Sequence, residues 1–546
     1  MKKIISITRS HNSSLCLLQN GEITFHIENE RLSKIKYDDY CFNAITHLPK
    51  YVSKVDTIAL AGMAPAWKID PKRNSHVIYC DQIFHLNKSF NVKTQIYDAW
   101  QTHHLQHAFC SFYNSGFKKS LCIVLDGAGS EISLDENETH YGREDLSTYI
   151  LEYPMMNKLI HKRICYPLSL KERKWDKRFD VSNSISEAKA YELLSKHFGW
   201  NWLDAGKVMG MATYGKEDDN IPPIYVNGNI NQNLFVITND IRDFYLNLKD
   251  YPYLDTKDFQ IQANFAYKLQ KETQEYVCEY IKKMIEKTGI KDVSLSGGYF
   301  LNCVANDYIR KSIPNINLYI EPLSSDTGVS MGLAKMLWHD KNNDSTIRKQ
   351  KNIYYGFHYN YTLDDIKNEK WIKCTEEDVA KELNNQKIVA LYQGRSEAGP
   401  RALGNRSILF DPRNKDGKDI VNKVKKREWF RPFAGTVLKE HANKYFDIED
   451  SPFMMYACDV KTKDLPAITH IDGTCRVQTL EYEQNKTFYN LISEFNNITN
   501  CPVLFNTSFN IDGEPIVETL SDAINTFKRS SIDILYLPDL KVMIKK

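Results

Sequence analysis

The stretch Gln101–Gly127, QTHHLQHAFCSFYNSGFKKSLCIVLDG, decides how the first half of the chain is read. His103, His104 and His107 open a segment of helical pattern. His103 and His107 are four positions apart, so a helix carries both imidazoles on one face, where they can share a metal ion. The apolar run that follows predicts a buried strand delivering Asp126 at its end. Two histidines and a carboxylate suit Fe(II), zinc or manganese, with positions left open for substrate. The plainer reading is a surface helix that happens to be rich in histidine. The zinc-protease pattern HExxH is absent, because no glutamate follows the first histidine.

The chain has 546 residues, enough for two or more domains. With 42% hydrophobic and 26% charged residues it has the composition of a soluble globular protein. The 71 basic and 69 acidic side chains leave a net charge of +2, which excludes a global pull toward nucleic acid or anionic membrane. No apolar run reaches the roughly 18 residues of a membrane span, and the amino-terminal run is too short for a signal peptide. The 12 cysteines contain no CxxC pair, which argues against a zinc ribbon or a disulfide framework and suits a reducing cytoplasm.

Outward from that stretch, the chain opens with strand-like runs, IISIT, SLCLLQ and EITFHI, the last two joined by Asn20-Gly21. Asn-Gly between such runs predicts a type I′ hairpin. The turn Ser10–Ser14 between the first two runs lines a ligand site or only satisfies its own backbone. Residues 262–288 carry an amphipathic helix pattern, and Ala205–Ala212 is a glycine-punctuated segment read as a place of close packing or ligand approach. At residues 293–306 an apolar strand runs into Gly297-Gly298 and then a helix, where backbone N–H groups can approach a nucleotide. Asp326 stands at another glycine-marked helix start. It either favours the positive helix end or adds a metal ligand to His103, His107 and Asp126.

The polar stretch 339–352 predicts a boundary between domains 1–348 and 349–546. Beyond it, Arg395, Glu397, Arg401 and Arg406 lie in a loop-like block rich in glycine. Lys425, Arg427 and Arg431 follow, then Arg476, then Asn506, Ser508 and Asn510. Arginine forks bind phosphate and carboxylate bidentately, so several of them in Gly/Pro-rich loops predict a polyanion pocket; the alternative is a solvated surface.

Taken in order, HHLQHAFCSFY (103–113), GKVMGMATYG (206–215), LSGGYFLNCVAN (295–306), EPLSSDTGVSMG (321–332), GRSEAGPRALGNRSIL (394–409), KREWFRPFAGTVL (426–438), DGTCRVQT (472–479) and NTSFNIDGEPIV (506–517) resemble the O-carbamoyltransferases of the NodU/CmcH type, over nearly the whole chain. The resemblance implies an α/β protein with an amino-terminal TsaD-like domain of the actin-like ATPase fold and a carboxy-terminal YrdC-like α/β domain. It implies that the second domain forms carbamoyl-adenylate from carbamoyl phosphate and ATP, with Mg2+ accompanying the ATP. The first domain then transfers the carbamoyl group to an acceptor hydroxyl.

By the same resemblance, Arg395, Arg401, Arg406, Lys425, Arg431, Arg476, Ser508 and Asn510 bind carbamoyl phosphate and ATP. Gly297, Gly298 and Asn302 bind the adenylate. His103, His107, Asp126 and Asp326 hold a metal, Fe(2+) in the family or another divalent ion. His11 is the general base, Lys36 touches the carbamoyl or phosphate group, and Arg431 serves catalysis as well as binding. Three positions depart from the family pattern: Asn12 stands where an aspartate is usual, Tyr299 where a small aliphatic residue follows the glycines, and Gly435 in place of a proline.

The acceptor stays open between a sugar, another natural product and a hydroxymethylated pyrimidine in a nucleotide or phage DNA; relatives suggest a homodimer. For a DNA acceptor, Lys171–Lys177 or Lys423–Arg427 would meet phosphates, the alternative being a solvated charged face. Two other functions compete. A threonylcarbamoyl-type tRNA-modifying enzyme uses both domain types but fits the linked motifs less well. A non-catalytic nucleotide-binding relative would not need His11, the His/Asp set and the arginine set together. A hydrogenase-maturation carbamoyltransferase would need CxxC zinc fingers, which are missing.

Overall fold

The opening strands form as their alternation and turn chemistry predict. Lys3–Thr8 pairs antiparallel with Ser14–Gln19, and Asn20 and Gly21 both adopt left-handed backbone (φ 52° and 87°), as a type I′ turn requires. The computed structural model describes residues 2–62, 86, 95–99, 102–134, 141–166, 177–238 and 243–546. The fold is mixed α/β, in two compact units. The first comprises residues up to Thr24 and Asp38–Gln350; the second comprises Phe25–Tyr37 and Lys351–Lys546. The expected division at 348/349 was drawn along the chain; the structure crosses at 350/351 and adds an early segment to the second unit. Lys36, expected in the first domain, lies on that segment.

The first unit contains one topology twice. Its first sheet includes, in order, Ser14–Gln19, Lys3–Thr8, Thr57–Ala61 and Gln95–Asp98. The first strand of the chain is thus central, antiparallel to the second and parallel to the fourth. The other sheet runs Phe179–Ser182, Met156–Cys165, Tyr141–Glu152, Lys119–Leu125, Asp292–Ser296, Asn317–Ile320. Lys119–Leu125 takes the same central place, antiparallel to Tyr141–Glu152 and parallel to Asp292–Ser296. Both central strands are apolar and buried on both faces, as strands covered on each side must be.

Two helices join the sheets. His103–Ser115 packs on the second sheet, Val329–Asn342 on the first, and the two pack on each other. Twelve of the thirteen residues of His103–Ser115 are buried, so this is an interior helix and not a His-rich surface one. Close approach depends on Gly332, where an added Cβ would stand 2.1 Å from the Gln106 carbonyl oxygen. Gly332→Ala is expected to destabilise the protein by about 1–3 kcal/mol through forced separation of the helices. A denaturant midpoint equal to wild type would refute that reading.

Elsewhere in this unit the helix over 262–288 is Phe259–Thr288, N-capped by the Asp258 side chain and ended by Gly289 at φ 70°. The glycine-punctuated segment is itself a helix, Ala205–Ala212, packed on that long helix. The second unit is built on a nine-stranded mixed sheet from Trp371–Lys373 at one edge to Ala457–Asp459 at the other. Leu520–Arg529 packs on the strands Val389–Tyr392 and Ile534–Leu537, and Lys486–Thr499 on Ala434–Leu438 and Val503–Ser508. Among the described residues no helix is long and apolar enough to cross a membrane.

Candidate active site

Three elements of the first unit converge on one point. The first two turns of His103–Ser115 supply His103 and His107, the end of Lys119–Leu125 leads to Asp126, and the short turn Asp326–Gly328 supplies Asp326. His103 Nε2 lies 3.4 Å from Asp126 Oδ2 and 3.3 Å from Asp326 Oδ1, His107 Nε2 lies 3.5 Å from Asp326 Oδ1, and the two Nε2 atoms are 3.2 Å apart. One ligand atom from each residue falls within 4.8 Å of every other. Two imidazole nitrogens and two carboxylates form a donor set that fits a divalent metal. The surroundings fix the donors as a metal site needs: Ser296 Oγ meets His107 Nδ1 at 3.4 Å, and the Gly298 N–H donates to Asp126 Oδ1 at 2.9 Å.

Electrostatics bind the cluster together. Burial disfavours a charged His103, yet Asp326 and Asp126 outweigh it and push its pKa up to about 10. Burial would likewise raise both carboxyl groups. For Asp126 the hydrogen bond with His103 prevails, and for Asp326 the charges of His103 and His11, so both lie below the usual range. His104 faces away, toward Ser147 Oγ at 2.8 Å and Glu144, and burial holds it neutral with a pKa near 3.

His11 stands on the rim. Its side chain is 32% exposed, its Nδ1 lies 3.7 Å from Asp326 Oδ2, and its ring sits 5.3 Å from that of Trp202. The turn carrying it is anchored by Ser13, which donates to the Asp38 and Tyr40 carbonyls, and by Ser14, which donates to the Thr327 carbonyl. Trp202 had no signal in the sequence that would have singled it out.

The glycine pair also has a role in packing. Gly297 adopts φ 99°, and a Cβ there would meet the Leu125 carbonyl oxygen at 2.3 Å, so only glycine lets the turn close on the strand that ends at Asp126. Asn302 caps the helix Cys303–Ser312 through the Ala305 N–H and gives its amide to Gln270 and Tyr191. Tyr299 is buried in the same turn.

In the second unit the structure brings together part of the expected anion set. Lys425 Nζ donates to the Ser508 carbonyl (2.6 Å), Ser508 Oγ (3.1 Å) and Asn510 Oδ1 (2.5 Å). Burial first, then Arg427 and Arg431, hold Lys425 well below the usual lysine range, with Asp512 and Glu514 offsetting only part. Arg427 packs 3.9 Å over the Phe433 ring, and after burial it is Arg431 and Arg476 that act against its charge. Arg427 thus joins Lys425, Arg431 and Arg476, as the run of cations in the sequence predicts, although the set implied by the family resemblance leaves it out.

The other arginines of the expected set, Arg395, Arg401 and Arg406, lie on the block 394–409. Arg406 is fully buried and donates to the carbonyls of Gln393, Asn405, Gly394 and Glu518. Arg395 donates to the carbonyls of Gly356 and Tyr355. Arg401 is half-buried on the loop organised by Glu397, whose Oε1 accepts from the Leu403 and Asn405 N–H groups. In the run 423–427 only Lys423 and Lys426 are exposed, and residues 171–176 lie outside the described residues.

Comparison with known proteins agrees with the motif pattern. The family model described as carbamoyltransferase N-terminus matches residues 72–335, and that described as carbamoyltransferase C-terminus matches residues 380–545. Nodulation protein NolO of Bradyrhizobium diazoefficiens is 30% identical over 79% of this chain and 76% of its own. The 3'-hydroxymethylcephem-O-carbamoyltransferase of Amycolatopsis lactamdurans is 32% identical over 42% of this chain and 44% of its own. Among solved structures, T. kodakarensis HypF superposes with a TM-score of 0.37 at 14% identity, covering 63% of this chain and 48% of that one.

Proposed function

This chain belongs to the carbamoyltransferase family and is a transferase, and from that premise we propose that it is an ATP-dependent O-carbamoyltransferase working through carbamoyl-adenylate. The observation that carries this reading is the His103/His107/Asp126/Asp326 constellation with His11 on its rim. The first unit is TsaD-like, a reading supported by its duplicated strand order, and the second YrdC-like.

In the second unit, Lys425, Arg427, Arg431 and Arg476 bind carbamoyl phosphate and the ATP phosphates, with Ser508 and Asn510 orienting Lys425. Cations crowded without full compensation favour a polyanion, whose charge relieves their mutual repulsion. Water cleaves carbamoyl phosphate to carbamate and phosphate; a carbamate oxygen then bonds to the α-phosphorus of ATP, the bond from that phosphorus to pyrophosphate breaks, and carbamoyl-adenylate and pyrophosphate result. In the first unit, His11 takes the proton of the acceptor hydroxyl, and Asp326 holds the imidazole in orientation. The hydroxyl oxygen bonds to the carbamoyl carbon, the bond from that carbon to the AMP oxygen breaks, and AMP departs. His103, His107, Asp126 and Asp326 would hold a divalent metal, iron by family expectation, which would supply Lewis-acid chemistry to the transfer step. The acceptor is a hydroxyl on a sugar, another natural product or a hydroxymethylated pyrimidine.

The test is pyrophosphate release from ATP, with and without carbamoyl phosphate, in the purified full chain. Release that requires carbamoyl phosphate and falls about 10²-fold or more in Arg431→Ala is expected, the scale of losing one charge-stabilising group. Release independent of carbamoyl phosphate, or none with pooled sugar, nucleoside and DNA acceptors present, would overturn the reading.

A further inference from the structure

Phe25–Tyr37 precedes most of the first unit in the chain yet folds with the second. Two of its side chains grip the backbone of a single distant residue. Glu28 Oε1 accepts the Gly399 N–H at 2.5 Å, and Arg31 Nη2 donates to the Gly399 carbonyl at 2.6 Å. Gly399 sits at φ 84°, a backbone suited to glycine, and presents both its N–H and its carbonyl to the segment.

Arg31 is 1% exposed, among the most buried arginines that a domain of this kind can hold. Burial works against its charge, but Glu28, Glu30, Glu518 and Glu397 together outweigh it. Its Nε lies 4.0 Å from Glu28 Oε2 and 3.7 Å from Glu30 Oε1. Removing a buried guanidinium from such a group leaves carboxylates without compensation.

The segment then turns sharply. Glu30 Oε2 accepts the Tyr37 N–H at 3.0 Å, and Lys34 pairs with Asp522 while donating to the Arg31 carbonyl at 2.5 Å. Lys34 and Tyr37 both adopt left-handed backbone, φ 64° and 62°, which side chains with a Cβ avoid unless the surroundings hold them there. Lys36 lies between these two residues, its ammonium 4.6 Å from the Tyr37 ring centre.

We propose that Arg31 is a positioning residue: with Glu28 it clamps the backbone of Gly399, fastens the segment 25–37 to the second unit, and so holds Lys36 in place. The role of Lys36 rests on the carbamoyl-adenylate reading; the clamp does not.

The test compares wild type, Arg31→Met, Lys36→Ala and the double variant as full chains. In hydrogen–deuterium exchange, amides of 29–37 in Arg31→Met are expected to exchange about tenfold faster or more, with His103–Ser115 and Ile534–Leu537 unchanged. AMP release from ATP and carbamoyl phosphate, with water as acceptor, is expected to fall about 10²-fold in kcat, the scale of a group misplaced by ~1 Å. KM for carbamoyl phosphate should stay within about twofold, since the anion-binding cations are untouched. The double variant should be no slower than Lys36→Ala alone, because Arg31 acts through Lys36. Arg31→Lys, which keeps a donor for the Gly399 carbonyl, should recover part of the rate.

Unchanged exchange in 29–37, or losses that multiply in the double variant, would overturn the proposal. If Arg31→Met does not fold, Asp522→Asn cuts the Lys34 tether and is read by the same two measurements. A wild type that releases no AMP would sink the adenylate reading, while the exchange result would still decide the clamp.

Discussion

Asp326→Asn is expected to lower carbamoyl transfer by about 10²–10³-fold, the scale of removing one charged group from a preorganised site. Asp326 is the residue that His103, His107 and His11 all face, at 3.3, 3.5 and 3.7 Å. Asparagine keeps the shape and removes the charge. It withdraws one of the four donors, the chief support for a charged His103, and the group that orients His11. Metal content, measured by elemental analysis after dialysis, should fall in parallel. Pyrophosphate release that requires carbamoyl phosphate should stay within about twofold, because that chemistry is assigned to cations in the other unit. Transfer that survives with normal metal content would remove Asp326 from the site. Equal loss of both half reactions would mean that the units do not divide the chemistry as proposed.

Lys425→Met should have the converse signature. Methionine replaces the lysine stem at similar volume and deletes the ammonium bonded to Ser508 and Asn510. The Asn510 amide oxygen and the Ser508 carbonyl each lose one donor but keep another, Ser508 Oγ and the Asn510 N–H, so the cost is about 1 kcal/mol. Against that, Arg427 and Arg431 lose a like charge, so the net change in stability should be small. Pyrophosphate release should drop about 10²–10³-fold. Pyrophosphate itself should raise the unfolding midpoint of wild type, by about 2.7 kcal/mol of stability at a hundredfold excess over Kd, and raise that of the variant far less. A variant that binds pyrophosphate and releases it at the wild-type rate would leave Lys425 a purely structural residue.

Local chemistry announced several of these features. Asn20-Gly21 could only be a tight hairpin turn of this kind between two apolar runs, and the structure has both residues left-handed. The four-residue spacing of His103 and His107 held because a helix is the one element that stacks such positions. Asp126 and Asp326 were marked by their places at a strand end and a helix start, and the fold brings both to the histidines.

The arginines were harder. Arg395, Arg401 and Arg406 in a Gly/Pro-rich loop read as anion ligands, yet Arg395 and Arg406 spend their donors on backbone carbonyls. An irregular buried loop leaves carbonyls without strand or helix partners, and a guanidinium with five donors satisfies several at once. The stretch around Arg31 was more opaque still. It is polar and charged, and its partner Gly399 is 368 residues away.

By itself, then, the sequence determined what depends on near neighbours: the hairpin, the helices and their caps, the pair of imidazoles on one face, and through its ordered motifs the carbamoyltransferase family. Only the tertiary structure decided what depends on contacts between distant segments. It set which cations crowd around Lys425, which arginines serve carbonyls instead, how Gly332 lets two helices meet, and that Lys36 folds with the second unit. The physical reason is that backbone geometry and periodicity are written within a few residues, whereas desolvation and charge balance are properties of whatever the chain packs against.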